Sequence, residues 1–183
     1  MDAFRFLVEI VFDLFLIVVL LRVWMQAARA DFFNPMSQFV VKMTNPLVQP
    51  MRRLLPMVGN WDIATLLLAY LVGIGKILVL SSMSAGMTPM VTDTLMMGLA
   101  VVLFQFLSLL FWLTIIMAIM SWFNRGYHPM MAILGQLTEP FLAPIRRIIP
   151  PIGGLDLSVL VLIVAIQFAR ILLNNLLSLG MGL

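Results

Sequence analysis

Arg5, Glu9 and Asp13 recur at intervals of four residues, so a helix carries all three on one face. They stand in an apolar run, as do Lys76 and Arg170 further along. An ionised side chain at the bilayer centre is disfavoured by about 2.5–3.5 kcal/mol on insertion scales, so such groups face protein or water rather than lipid. Two chemistries follow. Glu9, Asp13, Lys76 and Arg170 can neutralise one another as an ion-pair cluster that fixes helix packing. Alternatively they line a path for an ion or a proton. The cluster is the favoured reading, because a path needs a solvated route and a four-span monomer offers little room for one.

The second constellation is duplicated. Thr44 to Pro56 reads TNPLVQPMRRLLP, and Thr138 to Pro150, 94 positions later, reads TEPFLAPIRRIIP. Each copy has Pro-x-x-x-Pro, an Arg-Arg pair, two aliphatic residues and a third Pro. Prolines set sharp turns, and arginines near lipid phosphates contribute roughly 1 kcal/mol each. Arg52, Arg53, Arg146 and Arg147 therefore read first as membrane anchors. Lipid anchoring alone would tolerate basic residues at many positions, however. The repeated spacing adds a second reading, a docking face for an acidic partner or a phosphorylated ligand.

Other chemistry is sparse. Cysteine is absent, which excludes disulfides, thiolate metal sites and cysteine nucleophiles. The single His, His128, aligns with Asn34 and precedes Pro129, so it reads as a helix cap rather than a haem or proton ligand. The 16 Met residues are scattered through apolar stretches and read as packing, not as copper or iron ligands. No phosphate loop, nucleophile elbow or metalloprotease motif occurs, so the expectation is a protein without enzymatic activity, cofactor or metal.

The elements that must position these residues are membrane helices. The 183 residues are 63% hydrophobic and 10% charged, with a mean hydropathy of +1.11; soluble domains carry about 25% charge. The basic balance forms no stripe on a soluble domain, so nucleic acid is not an expected partner. About 20 apolar residues cross a bilayer, and four spans are predicted, at about 4–25, 63–80, 92–120 and 157–179. Ala28-Arg29-Ala30 imitates a cleavage site, but the chain starts without a basic region, and Glu9 and Asp13 interrupt the apolar run, so no cleaved leader is expected. Trp24, Trp61, Trp112 and Trp122 mostly fall near span ends, as interfacial residues do.

A short turn, Ser81 to Val91 with Gly86 and Pro89, joins spans two and three. Longer connections carry the Pro/Arg segments. Met36, Phe39, Val40, Met43 and Leu47 fall at helical spacing, as do Met130, Ile133, Leu134, Leu137 and Phe141. Asn34-Pro35 and His128-Pro129 open these helices. Pro46 and Pro140 are expected to end or kink them, and a second short helix can then open and run up to Pro56 or Pro150. The expected surface helices thus cover about 35–56 and 129–150, amphipathic and lying at the membrane surface or dipping into it against the bundle. Gly59 and Gly153 match, as do Asp62 and Asp156, which can cap spans two and four.

The fold expected is an all-α membrane protein of two tandem two-span repeats, residues 1–90 and 91–183. Arg29, Lys42, Arg52, Arg53, Arg125, Arg146 and Arg147 all lie in the long connections, and the short turn has no Lys or Arg. That bias puts the long connections in the cytoplasm and both termini outside.

The Pro-x-x-x-Pro-Ile-Arg-Arg string, its third Pro, the Gly and the Asp before a hydrophobic span resemble the YggT family of small bacterial and plastid membrane proteins. The likeness is close over Glu139 to Ser158, and Asn45 to Thr65 supplies a second copy, with Met51 for Ile145 and Ala64 for Ser158. It covers nearly the whole chain. The resemblance implies a bacterial inner-membrane protein, or its plastid counterpart. It implies roles in cell-envelope or division-related organisation, in assembly of a membrane cytochrome in plastids, and in osmotic tolerance. It supplies no catalytic residues and no common mechanism. The expected function is a non-enzymatic scaffold or assembly factor, with membrane lipids, a membrane protein or a second copy of the chain as partner. The alternative is a small ion transporter or channel-modulating subunit in osmotic stress.

Overall fold

A computed structural model of the chain describes residues 3–83, 90–123, 128–149 and 156–181. The expectations on Gly86, Pro89, Arg125, Pro150 and Gly153 fall outside them, as does the side chain of Trp122. Six helices follow in order: α1 (Ala3–Ala27), α2 (Pro35–Arg52), α3 (Ile63–Ser82), α4 (Val91–Phe123), α5 (Pro129–Ile148) and α6 (Leu157–Met181). Three of them are long and apolar enough to cross a membrane: Ile63–Ser82, Val91–Ser121 and Leu157–Ser178. The first helix, α1, carries Arg5, Glu9, Asp13 and Arg22 along its 25 residues. With 33 residues, α4 is about 50 Å long at the standard helical rise, well beyond a hydrocarbon core of about 30 Å.

Packing centres on α3 and α4. Both contact α1, and α4 also receives α5 and α6. The core joins Leu16, Val19 and Leu20 of α1, Leu109 and Leu113 of α4, and Leu137 of α5. It lies toward the end of α1 that leads into α2; the opening half of α1 leaves Phe4, Leu7, Val11 and Leu14 exposed. Where α3 crosses α4 the backbones come close. A Cβ on Gly73 would stand 2.7 Å from the Gly98 carbonyl oxygen, and one on Gly98 would meet Ile74. Small residues of this kind let helices approach without side chains between them.

Two sequence expectations are corrected. The first concerns the surface helices. Each connection holds one continuous helix, not two: α2 runs through Pro46 and Pro50, and α5 through Pro140 and Pro144. A Pro inside a helix removes one hydrogen bond and crowds the carbonyl four residues back, a cost of about 3 kcal/mol. All four prolines are exposed, so the carbonyls they free lie on the outer side of each helix. On the opposite side of α2, Ser37, Val40, Thr44 and Val48 are buried. Packing on one face therefore holds the helix together across a break on the other. Accordingly α2 ends at Arg52 and α5 at Ile148, short of the third prolines.

The second correction is a short hairpin. Met57–Val58 (β1) pairs antiparallel with Trp61–Asp62 (β2). Gly59 in the turn has φ +59°, which a residue without Cβ adopts freely. The hairpin carries the chain from the end of α2 to the first residue before α3 and so sets where Asp62 sits.

Candidate functional site in the paired Pro/Arg segments

In each Arg pair the first member turns inward. Arg52 donates from Nε at 3.0 Å and from Nη2 at 2.5 Å to Oδ2 of Asp62. Arg146 does the same to Oδ2 of Asp156, at 2.9 and 2.7 Å. The second carboxylate oxygen of each Asp serves the helix that follows. The Thr65 N–H donates to Asp62 Oδ1 at 3.4 Å, and the Ser158 N–H to Asp156 Oδ1 at 3.0 Å. One aspartate thus clamps the preceding helix and caps the next, where a negative charge also suits the helix dipole.

The two clamps differ in surroundings. Burial pushes the Asp62 carboxyl up, but hydrogen bonds from Arg52 and Thr65 outweigh it and hold the group below the usual carboxylate range. Asp156 is held low in the same way by Arg146 and Ser158. Desolvation lowers Arg146, but Asp156 and Glu139 outweigh it and raise its pKa; Glu139 lies 2.7 Å away. Asp62 is 1% exposed beside Arg52 at 34%, whereas Asp156 and Arg146 are 32% and 36% exposed.

Arg53 and Arg147 are exposed and form no ion pair among the described residues. Of the four arginines read as a contact face, two hold the fold and two point outward. Sequence reasoning grouped them because adjacency alone does not reveal which member reaches the capping Asp ten residues on. That spacing, Arg-x9-Asp in both copies, was the available signal.

Arg22, near the end of α1, is a buried charge. It is 3% exposed. Its Nη1 donates to the Thr44 hydroxyl at 2.6 Å, the Asn45 side-chain carbonyl at 2.8 Å and the Val41 carbonyl at 3.3 Å. Thr44 in turn donates to the Val40 carbonyl at 2.7 Å. Arg22 therefore binds the backbone of α2 just before Pro46. The second copy has Ile116 at the matching position, and there Thr138 donates to the Leu134 carbonyl at 2.8 Å.

The starts of α2 and α5 are tied together. Asn34 accepts from the Met36 N–H at 3.0 Å, and His128 accepts through Nδ1 from the Met130 N–H at 3.2 Å. His128 is thus a helix cap. The Asn34 amide donates to the Pro129 carbonyl at 2.7 Å. At the end of α1, Trp24 donates to the Leu137 carbonyl at 2.8 Å and stacks on Phe141 with centroids 5.1 Å apart.

The two surface helices present different faces. In α5, Ile133, Leu134 and Leu137 are buried, so its apolar stripe is part of the core. In α2 the stripe of Met36, Phe39, Met43 and Leu47 is exposed, beside the buried stripe. Gln38, Lys42 and Gln49 occupy the remaining side, where with Asn45, Pro46 and Phe32 they line a shallow groove of about 430 Å³. This helix has a core face, an uncovered apolar face and a polar face.

Among the membrane charges, Lys76 lies 2.6 Å from Asp13 and 3.7 Å from Glu9. Arg170 does not join them; it makes no ion pair among the described residues. Three of the four predicted members come together.

Long apolar helices braced by clamped, amphipathic connecting helices define a helical membrane protein. The chain belongs to the CCB3/YggT family, whose profile matches residues 1–83 and 96–177. It is 49% identical, over 97% of both chains, to a Vibrio alginolyticus protein described as lying in the proC 3′ region. It is 42% identical to YggT of Escherichia coli K12 over 89% of this chain and 85% of that one. A Haemophilus influenzae protein is 38% identical over 87% of this chain and 82% of its own length. No solved structure matches.

Proposed function

We propose that the protein is a non-enzymatic scaffold or assembly factor of the bacterial inner membrane, whose α2 and α5 helices engage anionic lipid or an acidic membrane partner. The observation that carries this reading is the three-faced character of α2. Its exposed stripe of Met36, Phe39, Met43 and Leu47 suits the acyl boundary, and Lys42 and Arg53 stand where they can reach phosphates. Arg147 at the end of α5 offers the same charge in the second unit. The matching clamps, Arg52–Asp62 and Arg146–Asp156, support two tandem units, 1–90 and 91–183. In this reading α1 is the fourth span. Its Glu9 and Asp13 are neutralised against Lys76, and the long connections face the cytoplasm.

The test uses the absence of native cysteine. A bimane label on Met43→Cys is quenched by lipids carrying quenchers near the glycerol level, and a label on Gln49→Cys is quenched from water. Equal quenching of both from water contradicts a surface-inserted α2. The transporter alternative draws on the same acids and bases, but Asp13 and Lys76 close on each other at 2.6 Å as a packing pair does. Flux by wild-type proteoliposomes above empty vesicles, altered in Asp13→Asn, would favour transport instead.

A further inference from the structure

Among the described residues Glu9 and Asp13 have a single ion-pair partner between them, and Arg5, four residues before Glu9, forms no ion pair. Two carboxylates share Lys76. Asp13 takes the close position, while Glu9 is 3.7 Å away with its side chain 40% exposed. Arg170 makes no ion pair among the described residues and is partly exposed. Lys76 and Arg170 each follow their helix-capping Asp by fourteen residues. At the helical rise this places each about 21 Å along its helix, at a common depth if both helices start at one face. The excess acid and the unpaired base are therefore level with each other. Yet α1 packs mainly on α2, α3 and α4, and α6 on α4 and α5, and no ion pair joins Glu9 to Arg170 among the described residues.

We propose that a second copy of this chain supplies the missing partner, with Arg170 of one protomer pairing with Glu9 of the partner subunit. The helices that meet are α6 and the opening half of α1. Both expose apolar side chains on the side of the helix next to the charge rather than on its own face: Val164, Phe168 and Ile171 on α6, and Ile10 and Leu14 on α1, with Phe6 one turn before Glu9. Each protomer offers one donor patch and one acceptor patch, so the contact either pairs reciprocally across a two-fold axis or runs head-to-tail into a ring or a row. Pairing gives Arg170 a counter-charge and relieves Glu9 of sharing Lys76 with Asp13, which is why a polar partner is favoured there over lipid tails. Gln167 and Asn174, one turn either side of Arg170, add amide donors to the same face of α6. The inference rests on α1 crossing the membrane, as proposed above.

Phe6→Cys and Asn174→Cys, introduced together into the cysteine-free chain, lie one turn from Glu9 and Arg170 toward the same membrane face. Oxidation in native membranes is expected to give a ladder that stops at dimers for the two-fold contact and continues to higher species for the head-to-tail one. Arg170→Glu, at equal membrane level, is expected to reduce the ladder at least tenfold, and Glu9→Arg combined with Arg170→Glu to restore it. A wild-type chain that gives only monomers overturns the proposal, as does a ladder that Arg170→Glu leaves unchanged. Loss without recovery in the exchange variant assigns Arg170 to another acid or to a lipid phosphate, and also overturns it. Labelling of Ala3→Cys by an impermeant maleimide from outside reads the placement of α1 separately. A protected Ala3→Cys therefore sinks the proposed placement of α1 with its start outside, whereas a labelled one with no ladder sinks the pairing alone.

Discussion

Arg52 and Asp62 join the end of α2 to the start of α3 through one carboxylate oxygen, while the other oxygen caps α3. Ninety-four residues on, Arg146 and Asp156 repeat the relationship. A conspicuous basic pair is thereby divided into a structural arginine and a free one.

The two clamps are unequal in energy. Asp62 is almost wholly buried, and removing its charge leaves Arg52 facing buried Arg22. Breaking a fully buried pair costs about 3–5 kcal/mol, and the partial exposure of Arg52 lowers this to about 2–3 kcal/mol. The half-exposed Asp156 pair is worth about 0.5–1 kcal/mol. Asn keeps an acceptor at the cap, so Asp62→Asn isolates the charge. Thermal unfolding in detergent is expected to show a clearly larger loss for Asp62→Asn than for Asp156→Asn. Equal losses would mean that burial does not decide the strength of these clamps.

Both aspartates titrate below the usual carboxylate range. A carboxyl whose folded pKa is depressed contributes stability that is present above its unfolded value, near 3.9, and is lost as pH falls through the lower folded value. The melting midpoint should therefore hold steady from about pH 7 to 5 with respect to these groups and fall below about pH 4. In Asp62→Asn the acid-side slope should be shallower than in the wild type. An identical slope would remove Asp62 as a contributor.

Gly73 and Gly98 bring α3 and α4 into backbone contact. A methyl on Gly73 would press on the Gly98 carbonyl, which cannot rotate away. Overpacking of this kind costs about 1–3 kcal/mol. Gly73→Ala should lower the melting midpoint measurably and Gly73→Val further. Gly59→Ala has open space around it and tests only the positive φ, at about 1 kcal/mol.

Free Arg53 and Arg147 should carry the charge-dependent contact. At roughly 1 kcal/mol per Arg, replacing both by Gln weakens binding of phosphatidylglycerol to the purified protein by about 30-fold. High salt should shrink the difference. Native mass spectrometry under lipid titration measures it, and an unchanged affinity would place the lipid contact elsewhere.

The broad architecture was legible because apolar runs, caps and Pro-rich connections are local signals. Asn34, His128 and Asp62 cap where the sequence puts them. What the sequence concealed depends on packing between distant segments. Pro46 and Pro140 predict breaks, but only the buried stripe behind them explains a helix that continues. Arg22 looks like a misplaced charge until α2 folds over it with Thr44 and Asn45. The stripes of α2 and α5 share one pattern, yet α5 buries its stripe and α2 does not, since that depends on which neighbours arrive. Arg170 shares the register of Lys76, but among the described residues no acid pairs with it.

The central claim is tested most directly by charge reversal at the outward arginines in cells that lack their own copy of the protein. Arg53→Glu with Arg147→Glu is expected to insert at the wild-type level and to fail to restore the wild-type phenotype of those cells. Arg52→Lys, which keeps the charge but loses the two-pronged clamp, is expected to lower protein level instead. Full restoration by the Arg53→Glu and Arg147→Glu variant would contradict the account.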